Sequence, residues 1–246
     1  MKLLVLAAGY ATRLYPLTLD RPKALLDVAG RPMLEHVLAS LAPVREIDGT
    51  YVVTNSKFAP HLRDWARGSS FAATVLDDGT LDEETKRGAI GDIAFVVDEA
   101  GLDDDLVVVA GDNLFSETLE GFGRAIRERR APTLGVYDVG DLEAIKRYNA
   151  IEVDADGRIV FFEEKPAHPR STLTGIALYF YPRETVPLVR RYVEEGNNPD
   201  QPGRLVQWLY TRVDFYTWLV PGIWYDVGSA ESLAEANRVF AELARR

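Results

Sequence analysis

The chain has 246 residues, with 28 basic and 38 acidic side chains and a formal net charge of −10. That balance argues against partners such as nucleic acid or an anionic membrane, so any polyanion must be held by local cations. Cysteine is absent, which excludes disulfides, thiolate zinc sites and a cysteine nucleophile. The length suits one large α/β domain or one domain with a small inserted lobe. No stretch approaches a membrane-spanning length. Met1-Lys2 and the short apolar run after them are read as a first strand and not as a secretion signal, so the protein is expected to be soluble and cytoplasmic.

Residues 3–8 form a continuous apolar run, the pattern of a central parallel strand buried on both faces. The run breaks at Gly9 into a loop of small residues, Ala11 and Thr12, followed by Arg13 and a proline-punctuated segment carrying Lys23. Such a loop lets backbone N–H groups approach phosphate oxygens. Arg13 then supplies a bidentate fork and Lys23 a point charge, which together describe a polyphosphate site.

Pro32 opens a helix with Met33, Val37, Leu38 and Leu41 on one face. A strand follows over 51–54, a helix over 56–67 capped by Ser56, a strand over 72–76 and an acidic loop over 77–84. His36 and His61 stand alone on their helices and receive no role. Arg87-Gly88-Ala89-Ile90-Gly91-Asp92-Ile93 opens the next helix. The strand over 106–110 ends in Gly111-Asp112-Asn113, which directs Asp112 into the crevice where α/β sheets bind ligands. Asp112 lies too early to cap the helix expected over 116–130. A strand over 133–139 precedes a hairpin, 151–153 and 158–162, turning at Asp154-Ala155-Asp156-Gly157. Beyond it come Glu163-Glu164-Lys165-Pro166, a strand over 177–181, helices over 182–195 and 204–212, a strand over 215–219 and a last helix over 230–245.

Several of these stretches resemble the sugar-phosphate nucleotidylyltransferases. The N-terminal pattern of that family appears as Ala8-Gly9-Tyr10-Ala11-Thr12-Arg13-Leu14-Tyr15-Pro16-Leu17-Thr18, then Pro22-Lys23, then Arg31-Pro32-Met33. Two family glycines are replaced by Ala8 and Ala11. The segment at Gly88 resembles the stretch whose glycine lies against the nucleotide base, and Glu83 stands where thymidylyl- and uridylyl-transferring members commonly carry glutamine. A carboxylate there, accepting hydrogen bonds only, suits an amino-bearing base edge. Arg147-Tyr148-Asn149 through Glu164-Lys165-Pro166 resembles the sugar-phosphate block, with Asn149 in place of a glycine. Thr174-Gly175 matches the sugar-pocket segment, and Trp224-Tyr225-Asp226-Val227-Gly228-Ser229 the motif that carries the second metal ligand.

The resemblance implies a Rossmann-like, mostly parallel sheet flanked by helices, the nucleotide-diphospho-sugar transferase fold, with a small sugar-binding β lobe. It divides one domain into a nucleotide half over about 1–140, a sugar-phosphate half over about 141–228 and a C-terminal helix over 229–246. The chain then ends before the β-helix carried by bifunctional relatives. The implied nucleotide site comprises Ala7, Ala8, Gly9, Ala11, Thr12, Glu83 and Gly88, with Arg13 and Lys23 catalytic. Asn149, Glu164, Lys165, Thr174 and Gly175 hold the sugar phosphate, and Asp112 and Asp226 hold one Mg²⁺. The implied reaction joins a nucleoside triphosphate and a sugar-1-phosphate, glucose-1-phosphate first among them, and releases pyrophosphate. Family behaviour also suggests a homo-oligomer.

Three other readings are open. A cytidylyltransferase acting on phosphocholine would need an aromatic cage for the cation. A noncatalytic sugar-nucleotide sensor would keep the fold without needing Arg13, Lys23, Asp112, Lys165 and Asp226 together. A dinucleotide-dependent oxidoreductase shares the strand–loop–helix start, but the G-x-G-x-x-G pattern is missing.

Overall fold

The computed structural model describes residues 1–245. The chain runs β1 (Lys2–Leu6), β2 (Asp27–Val28), β3 (Arg31–Pro32), α1 (Met33–Leu41), β4 (Gly49–Thr54), α2 (Ala59–Gly68), β5 (Thr74–Asp77), α3 (Ala89–Glu99), β6 (Leu106–Ala110), β7 (Asn113–Phe115), α4 (Glu120–Arg129) and β8 (Thr133–Asp138). It continues through α5 (Leu142–Ile145), β9 (Asn149–Val153), β10 (Ile159–Glu164), β11 (Leu173–Tyr181), α6 (Val186–Glu194), α7 (Pro202–Leu209), β12 (Tyr216–Leu219), β13 (Trp224–Asp226) and α8 (Ala230–Leu243).

Seven strands form one sheet in the order β12-β8-β11-β6-β1-β4-β5. β1 lies parallel to both β4 and β6, and β4 is parallel to β5. β12 runs parallel to β8, while β11 runs against both of its neighbours. The unbroken apolar runs of β1 and β6 follow from this layout, because alternate side chains enter opposite cores. Leu3, Val5, Val107 and Val109 meet α1, α2 and α4 on one face. Leu4 and Val108 meet α3, α6 and α7 on the other. The expected fold class is therefore the observed one. No helix among the described residues is long and apolar enough to cross a membrane.

Two short ladders position the site. β7 pairs antiparallel with β13, setting Asn113 opposite Asp226, and β9 pairs with β10 as the expected hairpin. A third core cluster ties the first loop to the last helix: Leu14, Val28, Met33, Leu114, Val227, Ala236 and Phe240 are all buried together.

Local differences from the sequence expectations have identifiable causes. β1 ends at Leu6 and not at Ala8, because the Ala8 carbonyl accepts from the Asn55 side chain at 2.8 Å instead of continuing the ladder. Ser56 does not cap α2. Asn55 Oδ1 accepts from the Phe58 N–H at 3.1 Å, whereas Ser56 Oγ donates to Asp77 at 2.7 Å. The helix expected from residue 116 begins at Glu120, since residues 113–115 are drawn into β7.

At α8 the cap is Ser229, whose Oγ accepts from the Ser232 N–H at 3.2 Å while Ser232 Oγ accepts from the Ser229 N–H at 2.9 Å. This capping box leaves the Asp226 side chain free of helix duty. Ser229→Ala is expected to cost about 1 kcal/mol of stability, measured as a lower urea midpoint with an unchanged m-value.

Candidate active site

The loop after β1 is shaped by Ala11, which sits in the left-handed region at φ 50° and ψ 43°. That geometry costs an L-residue roughly 1–2 kcal/mol. It is held by Thr18 Oγ1 and the Leu14 N–H, which both donate to the Ala11 carbonyl at 2.8 and 2.9 Å. Leu14 is buried in the third core cluster, so its neighbour Arg13 is left on the open side of the turn. Lys23 follows Pro22 in a short 3-10 turn, and its ammonium makes a charge-assisted hydrogen bond to the Asp112 carboxylate.

These residues line a cleft of 420 Å³ at the carboxyl ends of the central parallel strands. Ala8, Gly9, Ala11, Thr12, Arg13, Lys23, Glu83, Gly88, Asp112 and Asp226 all face it. Ala7 does not. It packs against the core, its N–H bonded to the Val53 carbonyl at 2.9 Å.

The β7–β13 ladder brings the two expected metal ligands together. With Asp226 opposite Asn113, Asp112 lies one residue beyond the pair, and the Val227 N–H reaches the Asp112 carbonyl at 3.5 Å. Burial first, and the Asp112 charge second, push the Asp226 carboxyl above its ordinary pKa, with Lys23 and Arg13 pulling it back. Lys23 already neutralises one of the two crowded carboxylates. Among the described residues no cluster of three or more His, Cys, Asp or Glu side chains is built for a metal. The donor set is thus two hard carboxylates, which fits an ion such as Mg²⁺ that keeps several of its waters.

At the other end of the cleft, Gly88 has φ +76°, and a Cβ there would come within 2.6 Å of the Asp200 Cα and 2.7 Å of the Pro199 carbonyl. The glycine is required by the 199–200 segment, whose carbonyls accept from the Ala89 and Ile90 N–H groups at 3.2 and 2.8 Å. Glu83 is exposed and paired with Lys86 at 2.7 Å, and Lys86 also reaches Asp200 at 3.0 Å. Its carboxylate is a solvated rim group. The buried carboxyls here are Asp78 and Asp92, which the sequence reading did not single out. Asp92 lies at the margin of the buried face that Ile90, Ile93 and Val96 give to α3 and is buried with them.

The expected sugar-phosphate residues form a separate group outside the cleft lining. Asn149 faces Glu164 across the hairpin. Its Oδ1 accepts from the Gly175 N–H at 2.6 Å and from Thr174 Oγ1 at 3.3 Å, while Nδ2 donates to the Gly175 carbonyl at 3.0 Å. The Asn149 side chain therefore ties β9 to β11 and is not free to bind. Glu164 Oε2 is buried without a hydrogen-bond partner, against Gly203 of α7, where a Cβ would collide with it. Lys165 is exposed with φ 49°, its N–H bonded to the Tyr148 carbonyl at 2.8 Å. Near Asp226, Trp224 packs against Tyr137 and Tyr148 with ring centroids 5.7 Å apart in each pair.

Asp92 has a measurable consequence. Burial above all, then the nearby Asp78 charge, raises its pKa from 3.8 to about 8, against a small opposing pull from Arg87. The folded chain keeps this proton up to about pH 8, whereas the unfolded chain releases it near 3.8. The stability linked to it is complete below the lower value and is lost as pH rises through the upper one. Unfolding free energy from urea titrations is expected to fall between pH 5 and pH 8.5, and to fall less in Asp92→Asn.

Comparison with known proteins agrees with this architecture. Residues 2–242 match the Nucleotidyl transferase family. A glucose-1-phosphate thymidylyltransferase from Streptomyces antibioticus is 28% identical over 244 residues, covering 98% of this chain and 67% of that protein. One from Neisseria meningitidis is 30% identical over 253 residues, covering 96% and 81%. Against longer relatives from Sulfolobus acidocaldarius and Methanocaldococcus jannaschii the chain spans about half of their length, 48% and 54%. The crystal structure of a UDP-glucose pyrophosphorylase with UDP-glucose shares the fold, with a TM-score of 0.82 at 19% identity over 100% of this chain and 99% of that one. The motifs, the sheet order and the match over nearly the whole length lead to one assignment: the chain belongs to the nucleotidyl transferase family, among its sugar-phosphate nucleotidyltransferases.

Proposed function

We propose that this protein transfers a nucleotidyl group from a nucleoside triphosphate to a sugar-1-phosphate, glucose-1-phosphate being the first candidate, with release of pyrophosphate and dependence on Mg²⁺. The observation that carries the reading is the convergence of Arg13, Lys23, Asp112 and Asp226 on one cleft at the ends of β1 and β6.

The chemistry needs no activated nucleophile. A sugar phosphate oxygen is already anionic at neutral pH, and the bond it forms to the α-phosphorus replaces the bond to the leaving pyrophosphate. The difficulty is the approach of two polyanions, so positioning and charge neutralisation supply the catalysis. Arg13 would stabilise the charge that develops on the β- and γ-phosphates. Lys23, which now neutralises Asp112, would exchange that partner for the triphosphate. Asp112 and Asp226 would hold the Mg²⁺, whose chemistry is to offset phosphate charge and align the two substrates. Lys165, exposed at the end of β10, would meet the phosphate of the sugar.

Two features favour a sugar over phosphocholine as the acceptor. The buried Glu164 Oε2 has no protein donor, and a hydroxyl would satisfy it. Tyr137 and Tyr148 each pack on Trp224 with ring centroids 5.7 Å apart, in tilted and edge-on contact, so these rings are engaged with one another near Asp226, whereas a quaternary ammonium needs open ring faces.

The test is pyrophosphate release with Mg²⁺ across five nucleoside triphosphates and a panel of sugar-1-phosphates plus phosphocholine. Release should require one triphosphate together with one sugar phosphate. Release with phosphocholine alone would move the assignment to the choline reading. Saturable binding of sugar nucleotides with no release would move it to a sensor. Asp112→Asn, Asp226→Asn and Arg13→Ala should each lower kcat/KM by about 10²-fold or more with unchanged circular dichroism, and wild-type rates at saturating metal would remove those roles.

A further inference from the structure

We propose that Asp78 and Asp92 are a positioning pair: one proton shared between their side chains fastens the end of β5 to the first turn of α3 and so shapes the part of the cleft that receives the nucleoside. The inference rests on the nucleotidyl-transfer reading above and concerns the nucleotide half of that same cleft.

The sheet order places the pair. Asp112 follows β6 and Asp78 follows β5, on opposite sides of β1 and its loop. Three interstrand spacings, about 14 Å in all, separate those two strand ends. A triphosphate engaged with Arg13 and Lys23 near Asp112 would therefore extend its nucleoside toward β5 and the start of α3, where Asp78 and Asp92 belong to the wall. The loop between the two acids carries Glu83, Lys86 and Gly88, which line the same end.

Both carboxyls are closed off from bulk water, with 2% of Asp78 and 5% of Asp92 exposed. Each has one buried oxygen, Oδ2 of Asp78 and Oδ1 of Asp92, that receives no N–H or hydroxyl from the described residues. The donors around them are committed elsewhere. Thr80 gives both its N–H and its hydroxyl to the other Asp78 oxygen, at 2.7 Å each. Arg87 donates through Nε to the Asp78 backbone carbonyl at 2.8 Å. A proton held between the two side chains satisfies both acids at once, because it makes one carboxyl a donor to the other. The bond so formed closes the base of the loop. Backbone bonds fix each end of it: the Asp78 N–H donates to the Thr54 carbonyl and the Asp92 N–H to the Gly88 carbonyl, both at 2.8 Å.

Loss of the shared proton would leave two like charges in a place closed to water. Burial first, then the Asp78 charge, puts that loss at about pH 8, and Arg87 opposes it only weakly. The other ionisable groups around the pair are spoken for. Tyr10, whose hydroxyl lies 3.4 Å from Thr80 Oγ1, is raised by burial above its ordinary range and stays neutral. Asp77 accepts from Ser56 at 2.7 Å, and Asp82 from the Thr85 N–H at 2.8 Å. At the rim, Lys86 is held between Glu83 at 2.7 Å and Asp200 at 3.0 Å. The nucleoside end is thus fastened below pH 8 and loosened above it, while the hairpin lobe that carries Lys165 stands apart from the pair.

The experiment follows the triphosphate that is turned over fastest, from pH 7 to pH 9 with Mg²⁺. It measures the dissociation constant by equilibrium dialysis, together with kcat and KM for both substrates. Triphosphate binding should weaken about tenfold across that range, as linkage to one proton near pH 8 requires. KM for the sugar phosphate should change by less than about twofold, because only the nucleotide end is loosened. Asp92→Asn supplies an amide hydrogen that cannot dissociate and should flatten the rise to less than about twofold. Asp92→Ala supplies none and should bind the triphosphate about tenfold more weakly than Asp92→Asn at pH 7. A flat wild-type curve would overturn the proposal and leave nucleotidyl transfer intact. The full rise in a folded Asp92→Asn protein, or an equal rise in KM for the sugar phosphate, would overturn it too. Neither turnover nor binding of any triphosphate at pH 7 would remove both this inference and the proposed function. If Asp92→Asn does not fold, Asp78→Asn is read in the same way, since its amide can donate to Asp92 while its carbonyl still accepts from Thr80. If neither folds, the wild-type curves decide.

Discussion

The constraint on which the site depends is electrostatic. A chain of net charge −10 must assemble a pocket for two polyanions, and it does so with carboxylates at the centre. The pairing of β7 with β13 makes this arrangement possible, because it fixes Asp226 beside Asp112 through backbone hydrogen bonds and not through the side chains themselves. Carboxylates held by a ladder cannot drift apart, so their repulsion is relieved by the Lys23 ammonium on Asp112 and by the nearby Arg13 charge. The neighbouring elements respect the same requirement. Ser229 takes over the capping of α8, and Leu14 anchors the loop after β1 to the core that α8 covers. A change in that core would therefore reach Arg13 at one end and Asp226 at the other.

The hairpin lobe is fastened in a different way. Asn149 replaces the backbone freedom of a glycine with three side-chain hydrogen bonds to Thr174 and Gly175, where β11 departs from regular register against β8. The lobe is thereby joined to the main sheet by an amide clamp. Glu164, one residue opposite, is left as the group with an open acceptor. The clamp holds the strand while the carboxylate is pressed against Gly203 of α7.

Much of this was legible in the sequence. The apolar runs at β1 and β6 identified the central strands, since only a doubly covered sheet tolerates them. The resemblance of the stretches around Arg13, Lys23, Asp112 and Asp226 to family motifs grouped them before their proximity was visible. Other features could not be read. β7 and β13 are three residues each, too short for alternation to register, and their pairing spans more than a hundred residues. Asn55 and Ser56 are both good caps, and only the position of Asp77 decides which one turns inward. Glu83 attracted attention because it stood at a motif position, whereas Asp78 and Asp92 stood at none. Burial, which distinguishes them, is a property of the folded chain.

The three groups of acids solve the problem of a buried or crowded carboxyl in three ways. Asp112 is neutralised by the Lys23 ammonium, a partner that a triphosphate and a metal ion together could displace. Asp92 is neutralised by a retained proton, because burial beside Asp78 makes a second charge too costly. Glu164 stays half-buried with one oxygen unpartnered, and burial lifts its pKa against the pull of Lys165 and Arg204. Under the proposed reaction only the first of these would be displaced by substrate, because a triphosphate with its metal ion would take the place of the Lys23 ammonium at Asp112. The acidity that opposes polyanion binding is thus offset locally, by an ammonium at Asp112 and by a proton at Asp92, and the proposed reaction would then leave Arg13 and Lys23 to the phosphates.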